Sequence, residues 1–254
     1  MRRILVIGVG AGDPEHITMQ AVTALRQVDV FFVLDKGEVK QELVDLREEI
    51  LRRYAPDGDY RVVYGRDPER DRTTDAYVEA VDDWRRRRAD VCQQMITDEL
   101  ADGQTGAFLV WGDPTLYDST LAILDDIATR GFELDIEVIP GISSVSALVA
   151  RHRVPLNQVG KPVQITTGRR LAEHWPSDVD DVVVMLDART AFTGYQDADI
   201  YWGAYIGTPD EILISGKLSE VADEIVAKRA EARQRKGWIM DTYLLRRIQP
   251  GQDS

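Results

Sequence analysis

Apolar residues fall into two kinds of run along this chain of 254 residues. Short unbroken runs stop at glycine or proline. Ile4-Leu5-Val6-Ile7 ends at Gly8, Ala107-Phe108-Leu109-Val110-Trp111 at Gly112, and the partly polar Ile136-Glu137-Val138-Ile139 at Pro140. Runs of this length predict buried strands that end in tight turns. Elsewhere apolar residues recur every three or four positions, as in Ile17, Ala21, Ala24, Leu25 and Val28, which predicts amphipathic helices. The first half thus predicts strands at 4–9, 30–33, 61–64, 106–110 and 134–138. It predicts helices at 15–27, 39–54, 75–100, 117–129 and 143–150, with a polar loop at 65–74. Strands separated by helices imply a mainly parallel sheet. Past Pro155 strands dominate, at 163–167, 182–186, 200–206, 211–215 and 238–245. One helix there carries Leu218, Val221, Ala222, Ile225 and Arg229 on one face. The expected fold class is α/β in two domains, with the boundary in the Pro- and Gly-containing turn at 154–161. Residues 1–155 form the N-terminal α/β domain with its mainly parallel sheet. Residues 156–254 form a C-terminal α/β domain with a mixed sheet. The tail 249–254 is expected to be disordered.

The turns carry the chemistry. Gly-Asp-Pro occurs twice, at Gly12-Asp13-Pro14 and Gly112-Asp113-Pro114, each after a strand. In open α/β sheets ligands collect where such strand-end turns meet. The glycines at 8, 10 and 12 imitate a dinucleotide fingerprint, but Asp13 stands where the third glycine belongs. A carboxylate there repels a pyrophosphate. No phosphate-loop motif is present. Acid-lined turns suit a ligand with positive charge and hydroxyl groups. The plainer reading of Asp13 and Asp113 is that each caps a helix with proline at its first position.

Composition narrows the function classes. The 44% hydrophobic content supports a real core. The net charge of −13 disfavours a general nucleic-acid binder. Cys92 is the sole cysteine, so no internal disulfide forms, and its helical neighbours predict a buried core thiol. A reducing cytoplasm fits. His16, His152 and His174 lie far apart with no cysteine at metal spacing, so no metal site is read. No signal peptide or membrane-spanning run is seen. Arg85-Arg86-Arg87-Arg88, among Asp82, Asp83 and Asp90, reads as a solvated helix face.

Taken in order, residues 7–18, 111–117 and 138–144 resemble the tetrapyrrole methylase family. The likeness continues through 164–168, 182–186 and 208–211, and covers nearly the whole chain except about 36–105. The resemblance implies the two-domain tetrapyrrole methylase fold with the cofactor cleft between the domains. It implies S-adenosylmethionine as methyl donor, S-adenosylhomocysteine as product, and a tetrapyrrole substrate. It also implies a cytoplasmic homodimer without nucleic-acid or membrane partners. Chain length, the long middle region, Trp111 before Gly112 and the segment 201–214 point to a branch that methylates a precorrin-5 carbon and releases acetate. Another precorrin or uroporphyrinogen methyltransferase is the alternative. Methylation of RNA, which the acidic balance opposes, or of protein is a further one. A noncatalytic nucleotide-binding module is opposed by the missing glycine and phosphate loop.

The resemblance also implies site residues. Gly10 and Ala11 belong to the first turn, although many relatives have proline at the position of Ala11. Trp111, Gly112, Asp113, Leu116 and Tyr117 wrap the cofactor. Ser143 and Ser144 contact its methionine part. Leu186 stands where relatives usually have methionine, and Ile206 and Gly207 present backbone to the adenine. The plainer readings are core packing for Tyr117, Leu186 and Met185, and an N-cap pair for the serines. Asp13 is the expected general base. A precorrin carries many carboxylates, so arginines must gather at its site. Arg151 (with Arg153) and Arg169-Arg170 are the expected substrate contacts, and Arg246-Arg247 form a further cluster. No Ser-His-Asp arrangement identifies a group that assists deacetylation.

Overall fold

The computed structural model describes residues 1–35, 41–56, 58–69 and 77–248. The chain divides into two compact units, Met1–Ser143 and Ser144–Ser254.

The first unit is built on a five-stranded sheet in the order β3-β2-β4-β1-β5, from β1 (Arg2–Gly8), β2 (Val30–Asp35), β3 (Arg61–Arg66), β4 (Thr105–Val110) and β5 (Leu134–Ile139). Every pairing is parallel. Side chains alternate across the sheet, so one apolar run feeds two layers. Ile4 and Val6 pack with Phe32, Phe108 and Val110 under α3 (Tyr77–Glu99) and α4 (Thr120–Thr129). Leu5 and Ile7 pack with Phe31, Ala107, Leu109 and Ile139 under α1 (Met19–Leu25) and α2 (Gln41–Tyr54). This two-sided burial is why β1 and β4 read as continuous apolar runs.

The second unit has a mixed sheet in the order β6-β7-β10-β8-β9, from β6 (Val163–Thr167), β7 (Asp181–Met185), β8 (Ala198–Ala204), β9 (Ile212–Lys217) and β10 (Asp241–Arg247). Only β6 and β7 pair in parallel. α6 (Gly168–Glu173) and α7 (Leu218–Lys236) cover the face formed by Val182, Val184, Ile200, Trp202, Tyr243 and Leu245. α5 (Ser144–His152) packs on β8, β9 and β10, with Leu148 against Gly203. The division therefore falls at Ser143/Ser144 rather than in the turn at 154–161. α5 follows its apolar contacts into the second unit.

Several elements differ from the sequence reading. The helix expected at 15–27 is a 3-10 turn, Pro14–His16, followed by α1, which Thr18 caps by accepting from the Ala21 amide. The helix expected from 117 begins at Thr120, because Tyr117 has a left-handed backbone (φ 52°). α6, six residues directly after a strand, was not foreseen. The parts of the expected elements at 39–40 and 70–76, and the tail at 249–254, lie outside the described residues. Among the described residues no helix is long and apolar enough to cross a membrane.

Cys92 is buried as expected, and burial pushes its thiol up to about 12. Arg88 corrects the solvated-face reading. It is 7% exposed, pairs with the equally buried Asp67 at 2.8 Å, donates to Ser119 at 2.6 Å and stacks on Trp84. Arg87, by contrast, bridges Asp83 at the surface.

Candidate active site

In the first unit the carboxyl ends of β1, β4 and β5 come to one edge, since the strands are parallel and Gly8 stands level with Val110 and Ile7 with Ile139. The turns beyond them are pressed backbone to backbone. Gly10 and Gly112 form an antiparallel bridge, with Gly112 N donating to Gly10 O at 2.8 Å. A Cβ on Gly8 would lie 2.6 Å from Gly141 N, and one on Gly141 would lie 2.2 Å from Gly112 O. Only glycine fits at these contacts. Gly10 (φ 87°) and Gly112 (φ 70°) also need the left-handed region.

Asp113 is not a helix cap, because Pro114–Asp118 make a turn and not a helix. Its Oδ1 accepts from the Thr115 amide at 2.8 Å and from the Thr115 hydroxyl. Its Oδ2 accepts from the Gly141 amide at 2.9 Å, clasping the β4 turn to the β5 turn. Burial alone would raise this carboxyl, but the Thr115 and Gly141 hydrogen bonds outweigh it and hold it below the usual carboxylate range. Asp13 does cap the Pro14–His16 turn, its Oδ1 accepting from the Glu15 amide at 2.9 Å. Ala11 is buried, Trp111 and Leu116 are half-buried, and Ser143 lies just before α5. Tyr117 is 46% exposed, so it is no core residue.

Sequence reading passed over Arg47 of α2. The β2–β4 register runs to Phe32 opposite Phe108, one residue short of Leu109, whose carbonyl meets a side chain from α2. Arg47 Nε donates to that carbonyl at 2.9 Å, just before the Trp111-Gly112-Asp113 turn.

In the second unit the ends of β6, β7 and β8 share one edge with the start of β10, since β10 runs opposite to both its neighbours. Gly168, Leu186 and Ile206-Gly207 follow those strands. Ser144 opens α5, its hydroxyl 3.5 Å from that of Thr242. Leu186 overturns the core-packing reading. It is 66% exposed with φ 55°, and Met185 is half-buried. Ile206 is buried, and the Gly207 amide donates to Glu211 Oε2 at 2.8 Å.

Of the arginines, Arg151 is ion-paired with Glu211, Nε at 2.7 Å. Arg170 pairs with Glu173 along α6, and Arg169 is exposed beside it. Arg246 and Arg247 sit at the opposite edge of this sheet, where Arg246 pairs with buried Asp181 and Arg247 stacks on Trp175. They do not join the turns after β6, β7 and β8. Sequence reading also missed a buried polar network of Asp187, Arg229, Asp241 and Tyr243. Its signal was present, since Arg229 stands alone as a cation on the apolar face of its helix. Among the described residues no group of His, Cys, Asp and Glu can hold a metal ion.

Residues 3–222 match the family model of tetrapyrrole (corrin/porphyrin) methylases. The chain belongs to that family. A relative from Sinorhizobium sp., precorrin-6A synthase [deacetylating], is 51% identical over 250 residues, which is 97% of this chain and 96% of the relative. The crystal structure of a putative cobalamin synthesis related protein from Corynebacterium diphtheriae superposes with a TM-score of 0.83 at 37% identity, covering 98% of this chain and all of that one. A uroporphyrin-III C-methyltransferase from Thermus thermophilus, complexed with S-adenyl homocysteine, shares the fold with a TM-score of 0.58 at 17% identity, covering 96% of this tetrapyrrole methylase and 91% of that chain.

Proposed function

We propose that this tetrapyrrole methylase is an S-adenosylmethionine-dependent C-methyltransferase that converts precorrin-5 to precorrin-6A in cobalamin biosynthesis, releasing acetate and S-adenosylhomocysteine. The observation that carries this reading is the end-to-end match to the Sinorhizobium precorrin-6A synthase [deacetylating]. The turns fit the donor. They offer backbone acceptors and the carboxylates of Asp13 and Asp113, which suit an amino group, ribose hydroxyls and a sulfonium, and they lack the basic cradle a diphosphate needs. The donor, when bound, supplies an activated methyl group.

What the chain must do is hold and align. We assign cofactor contacts to Gly10, Ala11, Trp111, Gly112, Asp113, Leu116, Tyr117 and Ser143 in the first unit, and to Ser144, Leu186, Ile206 and Gly207 in the second. Left-handed backbone at Tyr117 and Leu186, with both side chains exposed, supports the assignment, since such strain gathers at ligand sites. Fixing donor and acceptor in line supplies most of the acceleration. The acceptor carbon gains a methyl group and the macrocycle loses a proton. Asp13 is our candidate to accept it, with Oδ1 tied to the Glu15 amide. Acetate release needs water to attack an acetyl carbonyl. Arg169 and Arg170, exposed on α6, are our candidates for the substrate carboxylates. Arg151 can join them by exchanging Glu211 for a substrate carboxylate. We further assign the protein to the cytoplasm, as a homodimer.

The deciding experiment incubates the protein with precorrin-5 and S-adenosylmethionine and follows product mass with acetate yield. A methylated product without acetate would move the protein to another methyltransferase of the family. A melting temperature raised by NAD and unmoved by S-adenosylhomocysteine would remove the methylase reading.

A further inference from the structure

The loop after β7 is built inside out. Leu186 is 66% exposed while the next residue, Asp187, is 4% exposed. Water alone favours the reverse, because an apolar side chain gains by burial and a buried carboxylate must be fully bonded. The loop is also held in a backbone its residues disfavour, with Leu186 (φ 55°) and Thr190 (φ 54°) both left-handed.

Asp187 supplies the restraint. Its Oδ1 accepts from the Arg189 amide at 2.9 Å. Its Oδ2 accepts from the Ala191 amide and the Tyr243 hydroxyl, each at 2.7 Å. Its carbonyl accepts from Arg229 Nη2. Arg229 Nε donates at 2.8 Å to Asp241 Oδ2, which Trp202 Nε1 also reaches at 3.0 Å. Asp187 further packs against bare backbone, as a Cβ on Gly168 would lie 2.4 Å from its Cγ. Burial, and then the Asp187 charge, push the Tyr243 hydroxyl far above its usual range, so it stays a donor. β10 through Tyr243, α7 through Arg229 and the start of α6 at Gly168 thus converge on the residue next to Leu186.

We propose that the Asp187–Tyr243–Arg229–Asp241 network is a positioning device, which holds Leu186 in the left-handed conformation and so fixes what the β7 turn presents to the methyl donor. The inference rests on the reading above that Leu186 contacts S-adenosylmethionine. A network of this kind need only stabilise the fold if it has no ligand to serve, and the two roles separate in a double-mutant cycle. Tyr243→Phe removes one hydroxyl and keeps the ring. Leu186→Gly removes the residue's resistance to positive φ, because glycine enters that region unaided.

The assay is calorimetric affinity for S-adenosylhomocysteine on the full chain, for wild type, both single variants and the double variant. Tyr243→Phe is expected to weaken binding by about tenfold when residue 186 is leucine and by less than about threefold in the Leu186→Gly background. Equal losses in both backgrounds, or no loss in the first, would overturn the inference while leaving the cofactor reading in place. Wild-type protein that binds no S-adenosylhomocysteine would sink both. Should Tyr243→Phe fail to fold, Gly168→Ala displaces Asp187 by direct collision and enters the same cycle with the same expected outcome.

Discussion

Alanine at Gly141 tests whether the three strand-end turns are one packed body. The added Cβ would sit 2.2 Å from Gly112 O and 2.9 Å from both C and Cα of Gly8. All three are backbone atoms of turns anchored to central strands, so no side chain can rotate away. The φ of Gly141 is not in the left-handed range, and the penalty is therefore steric alone. Overpacking typically costs about 1–3 kcal/mol, and backbone on both sides puts this site at the upper end, about 3 kcal/mol. At about 2–4 °C per kcal/mol for a chain of this size, the melting temperature should fall by about 6–12 °C. Gly194 is the control, since nothing lies within 4 Å of its added Cβ and its φ is ordinary. Gly194→Ala should leave stability unchanged or raise it by up to about 1 kcal/mol. Gly141→Ala should also weaken S-adenosylhomocysteine binding, because the Gly141 amide it displaces is the one Asp113 holds. Thermal unfolding with calorimetric titration gives both readings. A Gly141→Ala protein within about 0.5 kcal/mol of wild type would show that the turns yield and that the close-packing argument is wrong.

Asp113→Ala should lower stability by about 1 kcal/mol through the lost turn bonds, and lower S-adenosylhomocysteine affinity by more. Because its carboxyl is held below the usual range, its stabilisation is complete above the ordinary aspartate value of about 3.9 and is lost only as pH falls through the depressed value. Urea midpoints of wild type and variant should therefore keep a constant gap from pH 8 to pH 5, and a gap that narrows across that range would contradict the assignment. Asp13→Asn, which keeps the cap, should slow methyl transfer by about 10²-fold or more in single turnover while cofactor affinity holds, and normal methylation would dismiss Asp13 as the base. Arg88→Ala should cost about 3 kcal/mol or more by stranding Asp67 in the interior, whereas Arg85→Ala should stay within about 0.5 kcal/mol. Similar losses for the two arginines in chemical denaturation would remove the buried-pair explanation.

The parts legible in the sequence were those whose physics is local. β1 and β4 were readable because burial on both faces leaves only apolar residues, and their turns because glycine and proline interrupt those runs. α4 was placed too early since nothing in Pro114–Tyr117 announces that Tyr117 turns left-handed. Asp113 looked like a cap because its local bond, to Thr115, is the kind a cap makes. Its bond to Gly141 joins positions that only the parallel sheet brings together. Arg88 was misjudged for the same reason, as its acid partner comes from the segment after β3 and not from its own helix. The plainer core-packing reading of Leu186 failed because an apolar residue at a strand end normally points inward, and here the adjacent Asp187 has taken the interior. The family motifs named the turns. The bonds that tie those turns together come from residues far apart in sequence.

The order of strands in the first unit has a consequence for synthesis. Arg3 of β1 stands opposite Thr105 on one side and Asp135 on the other. Of the strands in this sheet, β1 is therefore made before both of its neighbours although it lies in the interior, and β4 and β5 leave the ribosome roughly a hundred residues after it. At about 5–20 residues per second, Ile4-Leu5-Val6-Ile7 waits several seconds or more without a sheet to join. Throughout that interval the apolar stretch Ile4–Ile7 of β1 has both edges open, the condition under which nascent chains aggregate or engage chaperones. The turn at Gly8–Asp13, which packs on Gly112 and Gly141, therefore takes shape only after β4 and β5 have emerged, so the packed turns form late in the synthesis of this unit although they begin at the end of its earliest strand.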